Sequence, residues 1–253
     1  MRFLFALVLL LGSSNNYAGN YALYNFTTAE MSLSTAASQV VSIASVTKLF
    51  TAALILNDNL DLNEKVKVQG RVTGRFPIGS MVTRFELMKA MLIASDNRAA
   101  ETLAYSYPGG YEKFISNVNT MVSAENLKYT TIQDASGLKS GNVSTANDLV
   151  NFVYSLRNYP LIVALSSSST DHLEIQNKKK RIDLVIKNTN PDINKYNGIL
   201  ISKTGFTNSA GRCLVMLINF QNEIYGLAIL GEKTTATRSK VVSSLMTSVE
   251  RVQ

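Results

Sequence analysis

The sequence predicts an α/β fold: a largely antiparallel sheet built from both ends of the chain and flanked by helices, with an all-helical lobe at about residues 60–165 inserted between them. Three observations predict it. Short strand-like patches, YALYNF (21–26) and MSLS (31–34), stand near the start. From about residue 171 the apolar period changes, and HLEIQ, IDLVI, GILISKT, RCLVMLINF and IYGLAIL follow one another, separated by turn residues such as Asn190-Pro191-Asp192 and Gln221-Asn222. Between these strand-forming ends the patterns are helical. With 253 residues, 46% apolar and 17% charged, the chain holds material for one substantial core, or two lobes around one cleft.

The elements follow in order. Met1-Arg2, an apolar run from Phe3 to Leu11 and a Tyr17-Ala18-Gly19 junction read as a secretory signal peptide, residues 1–18, cut near Ala18, leaving a single domain over 19–253. That run is far shorter than the roughly 20 apolar residues needed to cross a bilayer, and no later segment is long and apolar enough either. With no cysteine near the junction, no lipid on an N-terminal thiol is expected. Ser45 to Leu56 is apolar nearly all round, without Gly or Pro, and predicts a helix buried between the two lobes. Thr83-Arg84-Phe85-Glu86 is a capping box that opens a helix through LMKAMLIA into Ser95-Asp96-Asn97. RAAETLAY is a further short helix, broken by Pro108-Gly109-Gly110; Phe114, Val118 and Met121 resume helical spacing, and Ser144-Thr145 starts NDLVNFVYSL. Ser167-Ser168-Ser169 reads as loop. Val241, Val242, Leu245, Met246, Val249 and Val252 form a helical stripe expected to lie against the sheet.

Composition excludes several classes. The lone cysteine, Cys213, lies in a strand-length apolar run and reads as core, not as a nucleophile. The lone histidine, His172, reads as an exposed strand end, so a zinc site of several His or Cys ligands is not expected, and no cofactor is. The formal net charge is +7, with one of those charges, Arg2, in the leader, and the densest basic run is Lys178-Lys179-Lys180-Arg181 between two strand-like stretches. That run reads as a solvated hairpin tip or as attraction to an anionic polymer. With no alternation of basic and aromatic residues in an exported chain, nucleic acid is not the expected polymer; an anionic cell envelope is.

The chemistry lies in three short motifs. Ser45 and Lys48 stand three apart, on one helix face and within hydrogen-bond reach. An apolar setting strips hydration from the lysine's charge, lowers its pKa and frees an amine to act as a base. Serine becomes a good nucleophile once such a base takes its proton. The free N–H groups at the helix start suit a developing oxyanion. Ser136-Gly137-Leu138-Lys139 matches the same spacing, but it lies in the Gly-rich loop DASGLKSGN, where nothing is expected to desolvate its lysine. The ordered set decides for Ser45: Ser45-x-x-Lys48 on a buried helix, Ser95-x-Asn97 at a helix-to-helix turn, and Lys203-Thr204-Gly205 ending an apolar strand. This set is the signature of class A β-lactamases and penicillin-binding proteins.

The resemblance extends beyond the motifs. SIASVTKLFTA, LMKAMLIASDNRAAETLAYSYPGGYEKFI, NVSTANDL, NTNP and LISKTGFTNSAGRCLVM resemble the D-alanyl-D-alanine endopeptidases, low-molecular-mass penicillin-binding proteins related to the D-alanyl-D-alanine carboxypeptidases. The resemblance implies the β-lactamase/penicillin-binding transpeptidase-like fold and a role for each matched residue. Ser45 would be acylated by a D-Ala carbonyl, with Lys48 as general base. Ser95 would relay a proton to the leaving amine, and Asn97 would hold Lys48 and the substrate amide. Lys203 and Thr204 would bind the leaving residue's carboxylate, Gly205 would leave room for the substrate backbone, and the N–H groups of Ser45 and Phe206 would form the oxyanion hole. Two features depart from the pattern: Val41 stands where relatives often carry arginine, and TTAEMS replaces the usual Asp/Gly turn of the first hairpin. The extra C-terminal β domain and amphipathic anchor of many carboxypeptidase relatives find no counterpart, so no stable membrane anchor is expected.

The expectation is a periplasmic serine DD-endopeptidase that cuts D-alanyl cross-links of peptidoglycan and is covalently inhibited by β-lactams. A DD-carboxypeptidase trimming pentapeptide stems shares every catalytic residue. A non-catalytic wall-binding protein or β-lactam sensor is the reading from another class; the intact catalytic set argues against it. A class A β-lactamase would need a Glu-x-x-Leu-Asn stretch, which the chain lacks.

Overall fold

The computed structural model describes residues 19–177 and 180–251. The expected signal peptide and the Lys178-Lys179 part of the basic tip lie outside the described residues, as does Val252 of the terminal stripe.

In chain order, β1 (Asn20–Asn25) and β2 (Glu30–Thr35) form a hairpin, and β3 (Val41–Ser42) leads through a 3-10 turn, Ala44–Val46, into α1 (Thr47–Asn57). A small hairpin, β4 (Lys65–Lys67) and β5 (Met81–Thr83), precedes α2 (Arg84–Ile93), α3 (Asn97–Tyr105) and α4 (Gly110–Ala124). β6 (Val143–Ser144) pairs with β3; then come α5 (Ala146–Ser155), α6 (Pro160–Ser167) and the hairpin β7 (Thr170–Asn177) with β8 (Lys180–Lys187). β9 (Ile199–Thr207), β10 (Gly211–Phe220), β11 (Glu223–Glu232) and α7 (Thr235–Arg251) complete the chain.

The sheet is antiparallel throughout, in the order β2-β1-β11-β10-β9. Both ends of the chain meet in it, with Ala22 opposite Ala228. Its central strands are buried on two faces, which is why their sequences run apolar without alternation. Cys213, Val215, Leu217, Ala228 and Leu230 face the helical side, while Leu214, Met216, Ile218, Leu227 and Ile229 lie under Val241, Val242, Leu245, Met246 and Val249 of α7. Thr47 to Ile55 of α1 are all buried, so this helix runs through the core as its all-round apolar sequence predicts. Thr83 accepts the Glu86 N–H at 3.2 Å, closing the expected cap, and Thr145 does the same for Asp148 at 3.0 Å.

Three features depart from expectation. The HLEIQ and IDLVI strands form a separate two-stranded sheet and do not join the main one. Leu173, Ile175 and Ile186 are buried while Val185 is exposed, so the hairpin has one apolar side, enough to cover a helix but not to fill the middle of a sheet. It lies on α2, where the backbone N–H of Glu174 donates to Glu86 and Lys89 donates to the His172 carbonyl. Second, α6 was not foreseen, although Pro160 at its first turn is a helix-start signal. Third, Ser45 sits on the 3-10 turn rather than in α1 itself.

Candidate active site

Ser45 is held by a tight turn. Ala44 adopts φ 47°, a left-handed conformation uncommon for a residue with a Cβ, and Thr47 Oγ1 donates to its carbonyl at 2.7 Å. Two glycines close around this turn. A Cβ on Gly137 would fall 1.9 Å from the Ala44 carbonyl oxygen, and one on Gly205 would fall 2.9 Å from the Ile43 oxygen and 3.0 Å from the Ser45 nitrogen. Gly205 was expected to make room for substrate; the structure shows that it also makes room for the Ser45 turn. The same close approach brings the Ser45 N–H beside the strand that carries Phe206.

Lys48 is fully buried, and its Nζ lies 2.7 Å from Ser45 Oγ, 2.8 Å from Asn97 Oδ1 and 2.5 Å from the Ser136 carbonyl oxygen. Burial lowers its pKa to about 7, against the opposing pull of Asp134, Asp96 and Glu101. As an ammonium it donates to all three neighbours. As a free amine it has two N–H donors and one lone pair. Asn97 Oδ1 and the Ser136 carbonyl can only accept, so they take the two N–H groups and the lone pair is left for the Ser45 hydroxyl proton. The site therefore orients the basic form.

Ser95 occupies the turn between α2 and α3 with φ 55°. Its neighbour Asp96 fixes that turn: one carboxylate oxygen caps α3 through the Ala99 N–H at 2.8 Å, and the other accepts the Arg75 N–H at 2.7 Å. Asn97 is thereby set as the first residue of α3, one step from Lys48. Lys203, on edge strand β9, is 1% exposed and donates to Ser95 Oγ and to the Thr204 carbonyl, both at 2.9 Å. Its pKa falls well below the usual value, chiefly through burial and further through Lys48 and Arg238. Thr204 Oγ1 lies 2.6 Å from Thr189 Oγ1. Phe206 is 46% exposed, its ring held under the Arg212 guanidinium at 3.7 Å.

The structure thus sets two hydrogen-bonded groups side by side, Ser45–Lys48–Asn97 and Ser95–Lys203, near enough for Lys48 to depress the Lys203 pKa, with Thr204, Gly205 and Phe206 continuing along β9. Cys213 is buried core, its thiol pushed up to about 11 by burial, and His172 is exposed and contacts Asp183 at 3.0 Å.

Two contributors were missed in the sequence. The DASGLKSGN loop, set aside as a look-alike, forms a wall of the site. Its Lys139 is exposed as expected, but Ser136 is fully buried and its carbonyl contacts Lys48. A backbone carbonyl leaves no side-chain signature, though the Gly137 that admits this approach does. The second is Arg238, 3% exposed, which donates to the Cys213 carbonyl at 3.2 Å and adds positive potential at Lys203. Its signal was positional: Arg238 stands three and four residues before Val241 and Val242, on the buried stripe of α7.

The chain is similar to several known proteins. A D-alanyl-D-alanine carboxypeptidase family model matches residues 13–234. The D-alanyl-D-alanine endopeptidase of Escherichia coli is 36% identical over 216 residues, which cover 82% of this chain and 69% of that protein. The crystal structure of the Streptomyces K15 DD-transpeptidase superposes with a TM-score of 0.86 at 22% identity, covering 94% of this chain and 98% of that one. Penicillin-Binding Protein D2 of Listeria monocytogenes, in its cefotaxime-bound form, gives a TM-score of 0.80 at 26% identity over 94% of this chain and 99% of that one. The fold is that of the penicillin-binding transpeptidases, and the chain belongs to the D-alanyl-D-alanine carboxypeptidase family of serine peptidases.

Proposed function

We propose that this protein is a serine DD-endopeptidase of the periplasm that hydrolyses D-alanyl peptide cross-links of peptidoglycan and is inhibited by β-lactams that acylate Ser45. The observation that carries the reading is the buried Lys48 amine held between Ser45 Oγ, Asn97 Oδ1 and the Ser136 carbonyl. Lys48 Nζ takes the Ser45 proton as Oγ attacks the D-Ala carbonyl. The N–H groups of Ser45 and Phe206 bind the tetrahedral oxyanion. Ser95 relays that proton from Lys48 to the leaving amine, the C–N bond breaks, and a serine ester and a free Lys48 amine remain. Lys48 then takes a proton from water as its oxygen attacks the ester, and returns it to Ser45 Oγ as the ester bond breaks.

Lys203 supports the substrate assignment. It is a buried lysine whose hydrogen-bond partners, a hydroxyl and a carbonyl, are both neutral, so burial and the positive potential of Lys48 and Arg238 disfavour its charge. An anion at this point restores that charge, and the carboxylate beside a D-Ala peptide bond supplies one, with Thr204 as a second donor. β9 is an edge strand, so an extended stem peptide can pair with it as an added strand. The Escherichia coli relative's name favours the endopeptidase. The family model's description favours the alternative, a D-alanyl-D-alanine carboxypeptidase, which would trim pentapeptide stems. Purified protein given cross-linked muropeptide dimers and, separately, pentapeptide monomers decides between them. Monomer released from dimer is expected; loss of D-Ala from the pentapeptide alone would establish the carboxypeptidase instead. Ser45→Ala should abolish covalent labelling by a fluorescent penicillin, and retained labelling would place the nucleophile elsewhere.

A further inference from the structure

Glu101 lies on α3 one turn after Asn97, on the same helix face, and is 8% exposed. No lysine or arginine among the described residues forms an ion pair with it. Its Oε1 is 3.1 Å from Ser136 Oγ, which is also 3.3 Å from Asp134 Oδ1. One hydroxyl has one proton, so it donates to only one of the two carboxyl groups at a time. With Glu101 ionised, the hydroxyl can donate to Glu101. With Glu101 protonated, the acid donates to the hydroxyl, which turns to Asp134. Ser136 stays tethered in both states, and only the charge changes. Asp134 fixes the rest of this loop by accepting the N–H groups of Ser136, Gly137 and Lys139. The Ser136 carbonyl, at the end of this chain of bonds, is the one 2.5 Å from Lys48 Nζ.

We propose that Glu101 is a positioning residue for Lys48: through Ser136 Oγ it fixes the Ser136 carbonyl against Nζ, and its charge sets how readily Lys48 gives up its proton. The inference rests on the reading of Lys48 as the base. The other groups facing the pair are Asp96 at the start of α3, Asp134 and Lys139 on the loop, Tyr111 on α4, and Lys203 on β9. Burial raises the Glu101 pKa, while its carboxylate opposes the fall of the Lys48 pKa. A proton taken up by Glu101 removes that support and makes Lys48 more acidic. The two titrations therefore oppose each other, and the free amine persists to lower pH than a permanent carboxylate would allow.

The test is the second-order rate of acylation by a fluorescent penicillin from pH 5 to 9, with melting temperature as the check on folding. Glu101→Gln keeps a donor to Ser136 and discards the charge, so its acidic limb should move to lower pH by on the order of one unit. Glu101→Leu and Ser136→Ala each cut the tether and should lower the plateau about tenfold, with Gln recovering what Leu loses. Should Glu101→Leu fail to fold, Ser136→Ala tests the tether alone. An unmoved limb in folded Glu101→Gln, or wild-type plateaus in the tether variants, overturns the Glu101 proposal and leaves Lys48 as base. Wild-type acylation by Lys48→Ala overturns both.

Discussion

Lys48 carries a stability cost that pH makes visible. Its pKa falls from 10.5 in a free side chain to about 7 in the folded protein because burial removes the water that solvates the ammonium. Between those values the unfolded chain binds a proton that the folded chain does not, so the cost is full below about pH 7 and is relieved as pH rises toward 10. Lys48→Met should be more stable than the wild type at pH 6, with a gap that narrows by on the order of a few kcal/mol by pH 10 in urea titrations. A pH-independent gap would mean that Lys48 does not titrate in this window. In acylation the same pKa predicts a rate that falls as pH drops through about 7, where the amine becomes an ammonium. Gly205 tests a different property, space. Ala at this position sets a methyl 2.9 Å from the Ile43 oxygen and 3.0 Å from the Ser45 nitrogen. It should cost about 1–3 kcal/mol and slow acylation, as read by melting and by penicillin labelling, because the nucleophile's turn must shift to admit it.

Asp96 shows how one residue fixes two elements. It is 2% exposed, caps α3 and ties the loop carrying Arg75 to the turn that presents Ser95 and Asn97. Asp96→Ala should lose roughly 1–2 kcal/mol of stability from the cap and slow acylation at least tenfold, while Asp96→Asn, which keeps one acceptor for the cap but sets an NH2 against the other backbone N–H, should recover only part of each. A stability loss with acylation intact would limit Asp96 to a structural role. Helices and caps were legible because their signals are local: α1 in its unbroken apolar sequence, α2 in its capping box, α5 in Thr145. The β7–β8 hairpin was legible as strands but not as a separate sheet, since strand pattern says which faces are apolar and not which neighbour covers them. The DASGLKSGN loop was misjudged for a related reason. Its function passes through a carbonyl oxygen and a glycine's missing Cβ, and neither appears as a side-chain motif.

At the scale of the whole molecule, the charge of +7 bears on where the protein works. If attraction to an anionic wall assists it, cosedimentation with purified sacculi should weaken steadily between 50 mM and 500 mM salt, as screening shortens the reach of surface charge. Retention indifferent to salt would assign wall binding to the cleft alone. The architecture follows from covering two apolar sheet faces. α7 lies over one, α5, α6 and the 3-10 turn lie over the other with α1 packed among the helices behind them, and the Ser45 site lies where edge strand β9 meets that turn. By itself the sequence determined the strand-rich ends, the buried central helix, the terminal helix's apolar stripe and the three motifs, because periodicity, capping and fixed short spacings are properties of neighbouring residues. Only the tertiary structure decided that Lys203 reaches Ser95 across 108 positions, that Gly205 serves the Ser45 turn, and that Ser136, Glu101 and Arg238 belong to the same site. Those contacts depend on how the two lobes close on each other, and that closure is set by the packing of the whole core.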